Sequence, residues 1–188
     1  MKHDMKTSYY KSNLIDMDNC VSISQYPPKW FPCVKVDSLV PSRSLLMSYK
    51  DGEVSWREYI ETFQKETLSN LDPKEIYTSL SSKTLLCYEK PGVFCHREIV
   101  RKWLVENGYD AVEVHTRVYT DSLDNLLEYL SEVDSDDQKR LYISTTDKVV
   151  ATYCKVHNIS HSLYPTDDAE LIKYMHDIVI DIKGDVNV

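Results

Sequence analysis

Residues 87 to 98 read CYEKPGVFCHRE and place two thiols, two carboxylates, an imidazole and a guanidinium around a Pro-Gly turn. A thiol beside an imidazole is the pairing of an activated nucleophile, in which the base takes the proton and a third group orients the base. Cys95 stands at or just before the first turn of a helix, where unpaired N–H groups and the helix dipole lower a thiol's pKa. Cys95 is therefore read as the nucleophile, His96 as general acid or base, and Glu89 as the orienter of His96. Adjacent residues on a helix diverge by about 100°, so Cys95 and His96 converge only if Cys95 is non-helical. Arg97 in the first turn opposes the helix dipole, so something other than local helix energetics holds it there. It reads as an anion clamp working with the helix N–H groups, against a solvated arginine near Arg101 on an outer face where Glu98 can pair with Lys102. His96 lies on one stripe with Ile99, Val100 and Trp103 and so points inward; a core histidine bonded to a carbonyl is the plain alternative. Cys87 sits in an apolar strand on the side of Leu85 and reads as a buried, inert thiol.

Spacing argues against a metal here. Structural zinc pairs stand about two to four residues apart, whereas seven residues separate Cys87 from Cys95, no C-x-x-C pair exists, and the H-x-x-x-H pair of His157 and His161 lies far along the chain from both cysteines. The zinc deaminase signature is incomplete, since no P-C-x-x-C accompanies the H-x-E of His96 to Glu98. With only four glycines, neither a P-loop nor a G-x-G-x-x-G fingerprint can be written, so no metal and no cofactor is expected. Two further stretches offer ligand contacts. ISTTD, residues 143 to 147, follows a strand and opens a helix, so Ser144 and Thr145 can present hydroxyls to a phosphate, although most such stretches are plain N-caps. SQYPPKWF places Tyr26, Lys29 and Trp30 on a stiff turn, an aromatic platform with an ammonium that suits a planar base or serves as a hydrophobic lid.

The elements that must position these residues alternate. Strands are expected at CVSISQ, KTLLCYE, DAVEVH, LYIST, SHSLYP and IVIDI. Helices are expected after Pro41, after Ser55 with Glu58 closing a capping box, after Asp72 with Pro73 at its first position, from Cys95 to Gly108, and over SLDNLLEYLSEV, DKVVATYCKVHN and DAELIKYMHDI. This is the pattern of an α/β fold with a mainly parallel sheet and helices on both faces, Rossmann-like without the glycine-rich dinucleotide motif. A single α/β domain over residues 1–188 is expected, its residues 116–188 extending the same sheet. Open sheets bind ligands at the carboxyl ends of their strands, which picks out SQYPPKW, EKPGVFCHR, HTR and STTD as loops that converge on one edge.

A net charge of −8 disfavours nonspecific binding to nucleic acid. Five cysteines at irregular spacing argue for free thiols in a reducing compartment. The N-terminus MKHDMKTSYYKSN is too polar for a signal peptide and no segment has the length of a membrane span, so a cytoplasmic protein without a membrane partner is expected, of no assigned oligomeric state.

TSYY, VSISQYPPKWF, LVPSRSLLMSYKDGEVSWREYIETF and above all LLCYEKPGVFCHREIVRKWL resemble the family of domain of unknown function 488, over roughly residues 7 to 115. The resemblance implies an α/β fold and a bacterial or bacteriophage setting, and makes Cys87, Glu89, Cys95, His96 and Arg97 the hallmark, with Ser24, Pro27, Pro41 and Ser42 in its Ser-Pro elements. The expectation is an enzyme, a thiol-dependent hydrolase or transferase, acting on a small anionic, phosphorylated or nucleotide-like ligand. The alternatives are a non-catalytic nucleotide-binding or sequestering module, in viral or bacterial defence, and a protein-interaction module suggested by the acidic run DSDD at 134–137.

Overall fold

The computed structural model describes residues 5–163 and 168–180. The chain divides into two compact units, one of residues 1–89 and 94–114, the other of residues 90–93 and 115–188. Both are α/β, and every strand pairing in both is parallel.

The first unit contains β1 (Met5–Tyr9), β2 (Cys20–Ser22), β3 (Val34–Lys35), α1 (Arg43–Lys50), α2 (Trp56–Glu66), α3 (Pro73–Ser79), β4 (Thr84–Cys87), α4 (His96–Glu106) and β5 (Ala111–Glu113). Its sheet runs β3-β2-β4-β1-β5. The helix starts follow the expected chemistry. Ser42 caps α1 through Leu45 N, Ser55 and Glu58 form the capping box of α2, and Asp72 precedes Pro73 at the start of α3. Gly108 ends α4 at φ +85°, a left-handed turn that glycine adopts without strain.

The interior strand β1, between β4 and β5, was not among the expected strands, because Lys6, Thr7 and Ser8 break any apolar run. Thr7 and Ser8 are nonetheless fully buried, and Thr7 Oγ1 donates to Glu113 Oε2 at 2.8 Å. Register sets Tyr9 beside Cys87 and Ser22 beside Leu86, so β1, β2 and β4 end together at one edge of the sheet.

The second unit contains β6 (Thr116–Tyr119), α5 (Leu123–Glu132), the short α6 (Ser135–Gln138), β7 (Leu141–Thr145), α7 (Lys148–Val156), β8 (His161–Leu163), α8 (Ala169–Met175) and β9 (Ile178–Val179). Its sheet runs β8-β7-β6-β9 over a core of Val118, Leu126, Ile143, Val150 and Cys154. The expected extension of one sheet is thus corrected: the strands after residue 115 form their own. The reason is topological, since a parallel neighbour needs a crossover of about a dozen residues and only Val114 and His115 separate β5 from β6. For the same reason HTR is not a strand-end loop; Thr116 and Arg117 open β6. Arg117 is buried and held by Asp177, with Nη2 donating to Oδ1 at 2.8 Å and Nε to Oδ2 at 3.1 Å. Residues 1–4 of the polar N-terminus, and the ends of the strands expected at 164–165 and 181–182, lie outside the described residues.

Gly92 belongs to this second unit and sits at φ +81°, where a Cβ would come within 2.3 Å of Ser144 Oγ and 2.5 Å of His176 Nε2. Asp121 organises the end of β6. Its carboxylate accepts from Tyr119 Oη at 2.8 Å, Thr145 Oγ1 at 3.0 Å, Thr146 N at 2.7 Å and Thr146 Oγ1 at 3.0 Å. Burial alone would raise its pKa, but these donors carry it below the usual carboxylate value. Asp121→Ala strips four donors of their acceptor and is expected to cost about 2–4 kcal/mol in urea unfolding. Because the folded-state pKa is the lower one, the wild-type advantage over Asp121→Ala is full above the ordinary Asp pKa of about 3.9 and shrinks as pH falls below it.

Candidate functional site

The common end of β1, β2 and β4 borders a cavity of about 160 Å³ within the first unit. Cys87, the last residue of β4, and Cys95 and His96, the cap and first residue of α4, all line it. Cys95 has φ −154° and ψ 141°, so it is extended rather than helical. That meets the condition set by the sequence, and Cys95 Sγ lies 3.9 Å from His96 Nδ1. Cys87 Sγ lies 3.8 Å from the same nitrogen.

The orientation of His96 fixes its chemistry. Nε2 is 2.8 Å from the carbonyl of Ile23, the residue just past β2. A carbonyl only accepts, so Nε2 carries the hydrogen and the neutral ring presents Nδ1 as an acceptor to both sulfurs. The ring edge packs against Phe63 at 5.7 Å. Ile23, not Glu89, is therefore the orienter.

The three groups divide one negative charge unevenly. Cys87 is held well below the ordinary thiol range: Cys95 donates a hydrogen bond to it, which with His96 and the Arg97 guanidinium outweighs burial. Cys95 is pushed well up, by burial and then by the charge on Cys87. Burial would depress His96, but the Cys87 anion and the bonds to Cys87 and Ile23 raise it. Glu89 is raised by burial and by Cys87, which favours a protonated carboxyl on the cavity wall. The thiol read from sequence as inert thus faces the same histidine nitrogen as Cys95. The signal for this was its place at the carboxyl end of β4, two residues before Glu89.

Arg97 answers the puzzle of its position. It is 2% exposed, with Nε donating to Glu113 Oε2 at 3.1 Å and Nη1 to the carbonyl of Glu89 at 2.9 Å. It does not line the cavity, so the guanidinium that sequence cast as an anion clamp is committed to the fold. Glu98 pairs with Arg101 at 2.6 Å and with Lys102 at 3.7 Å. The Cys-x5-Arg offset of Cys95 and Arg101 forms no phosphate cradle, because the residues from 96 onward are helix and Arg101 is engaged by Glu98.

The other expected contacts separate. Ser24 and Tyr26 line the cavity, Ser24 accepting from Tyr10 Oη at 3.0 Å and Tyr26 standing at the rim 60% exposed. Lys29 and Trp30 are exposed outside the lining, and Trp30 packs edge-on to Tyr10. Ser42 serves as the cap of α1. Ser144 and Thr145 lie in the second unit; Thr145 is bound to Asp121, whose carboxylate would repel a phosphate. Sequence reasoning missed Lys50, Tyr49, Tyr59 and Phe94, which supply an ammonium and an aromatic wall. Tyr49 and Tyr59 stand 5.0 and 5.5 Å from Phe94.

Residues 21–108 match a family model described as "Active DUF488-N3 subclade". The chain carries a DUF488-family domain. The matched segment of the DUF488 domain holds Cys87, Glu89, Cys95, His96, Arg97 and every residue lining the cavity, but not β1 or Glu113. No curated protein and no solved structure matches the chain. Among the described residues no helix is long and apolar enough to cross a membrane. As for metal, Cys87, Cys95 and His96 bring three donor atoms within 4.8 Å of one another, so the seven-residue gap does not keep them apart. Three donors are one fewer than the closed shell of a structural zinc site.

Two outcomes follow from this geometry. Glu113→Ala leaves the Arg97 charge buried without its carboxylate and is expected to cost about 3–5 kcal/mol in urea unfolding. Iodoacetamide at a pH below the ordinary thiol pKa of about 8.5 is expected to alkylate Cys87 before any other cysteine, since its lowered pKa keeps more of it as thiolate there, an advantage lost as pH falls through that lowered pKa. In His96→Ala, the rate-against-pH curve should move up towards that of an ordinary thiol.

Proposed function

We propose that this DUF488 domain is a thiol-dependent hydrolase or transferase acting on a small nucleotide-like ligand. The observation that carries the reading is the tautomer of His96, fixed by the Ile23 carbonyl so that an acceptor nitrogen faces two thiols on a cavity wall. Thiol, base and orienter form the arrangement that activated nucleophiles require. The word "active" in the description of the matched family model supports catalysis over binding alone.

In this reading Cys87 attacks the electrophilic centre of the ligand, and Cys95 steadies the thiolate with its S–H. His96 Nδ1 holds the proton that Cys87 gave up and delivers it to the leaving group, and the carboxyl of Glu89 is a second acid on the same wall. Size narrows the ligand. A dry engineered cavity of about 150 Å³ holds one benzene ring, so a space of about 160 Å³ accepts a single base or sugar ring and leaves the remainder at the rim. Tyr49, Tyr59 and Phe94 give that ring an apolar wall, while Lys50 offers an ammonium to an anionic group.

The test is incubation of the full chain with a panel of nucleotides and nucleosides, with bound material and products read by mass spectrometry. Turnover is expected in the wild type, reduced by at least about 10³-fold in Cys87→Ser and about 10²–10⁴-fold in His96→Ala, with Lys50→Ala raising KM. A ligand that is retained and released intact, with no product from the wild type, would establish a binding module instead.

A further inference from the structure

Cys87 and Cys95 are not merely neighbours in the site. Their sulfurs lie within 4.8 Å of each other, one at the end of β4 and the other on an extended residue that makes no side-chain cap bond to α4. Both line the cavity, so a small oxidant reaches them by the ligand's own route. A native disulfide needs sulfurs about 2.05 Å apart on chains free to approach, and nothing in the capping of α4 ties Cys95 back. All five cysteines are free thiols.

We propose that Cys87 and Cys95 form a reversible disulfide when the protein meets a hydroperoxide, and that this bond switches the site off. The inference rests on the catalytic reading only for its second half; the bond itself requires no turnover. In the first step Cys87 sulfur attacks one oxygen of hydrogen peroxide, the O–O bond breaks, and Cys87 becomes a sulfenic acid while the departing hydroxide takes a proton to leave as water. In the second, Cys95 sulfur attacks Cys87 sulfur, the S–S bond forms as the S–O bond breaks, and the hydroxyl leaves as water with the proton from Cys95. Two thiols and one peroxide give one disulfide and two waters. A thiol reductant reverses the bond by exchange. Oxidised, Cys87 has no thiolate with which to attack a ligand, and His96 Nδ1 loses its thiol donors.

The other close pair is Cys20 and Cys33. Cys20 is packed in a cluster with Tyr10, Phe31 and Leu86, with Cys33 against it, and its Sγ donates to the carbonyl of Asp16 at 3.0 Å. Neither lines the cavity. The experiment is treatment of the full chain with hydrogen peroxide, then peptide mapping without reductant after cleavage at Glu89, which separates the two site cysteines. A loss of about 2 Da with the Cys87 and Cys95 peptides joined is expected, restored by dithiothreitol, and absent in Cys87→Ser and Cys95→Ser. In Cys95→Ser a sulfenic acid on Cys87 should be trapped by dimedone. A bond confined to Cys20 and Cys33, a persistent sulfenic acid on Cys87 in the wild type, or one equivalent of zinc held by the purified chain and blocking oxidation would overturn the proposal. If an active nucleotide is found, oxidation should lower its turnover more than tenfold and dithiothreitol should restore it. A joined peptide without any turnover sinks the enzyme reading alone, and turnover without a joined peptide sinks the switch alone.

Discussion

A guanidinium stripped of water needs a carboxylate, and the first unit is arranged around that need. Arg97 and Glu113 are each 2% exposed at the side chain and 3.1 Å apart. Ionised groups of this kind lose several kcal/mol of hydration each, so they persist only where geometry and further hydrogen bonds offset the loss. Thr7 supplies one such bond from β1, and the carbonyl of Glu89 accepts another from Arg97. One cation thus fastens β1, β5, the end of β4 and the first turn of α4. Since Cys87 precedes Glu89 by two residues and Cys95 precedes Arg97 by two, the same cation fixes where both sulfurs lie.

The charge has a second consequence. Arg97 helps to hold Cys87 anionic without touching the ligand space, while burial keeps the nearby phenols neutral: the Tyr59 hydroxyl is pushed up, and that of Tyr10 to about 12. The charges on the cavity wall are therefore confined to one shared thiol–imidazole system and the ammonium of Lys50, with the carboxyl of Glu89 biased towards its neutral form. A low-polarity wall strengthens whatever electrostatic interaction those few groups make with a bound ligand.

Much of this was legible in the residues. Caps, the Pro-Gly turn, the helix stop at Gly108 and the inward face of His96 are local properties, and local chemistry decides them. The requirement that Cys95 be non-helical was stated by spacing alone and is met. What escaped was non-local. Thr7 and Ser8 look like surface residues until Glu113, more than a hundred positions away, comes within hydrogen-bond reach. Arg97 looked like a ligand clamp because its partner lies on another strand. Cys87 looked inert because strand periodicity gives its burial and not its neighbours. The wall of Tyr49, Tyr59 and Phe94 comes from two helices and a loop whose packing no period announces.

The histidine is steered by main chain, and that bears on how the site tolerates change. No substitution at position 23 deletes a carbonyl oxygen, and Ile23 N is itself anchored to the Leu86 carbonyl at 3.0 Å. A side-chain orienter can be lost by one codon change; this one is lost only if the strand is rerouted. Genetic drift can therefore reshape the cavity wall residue by residue, altering what enters, while the imidazole keeps the same nitrogen turned towards the sulfurs.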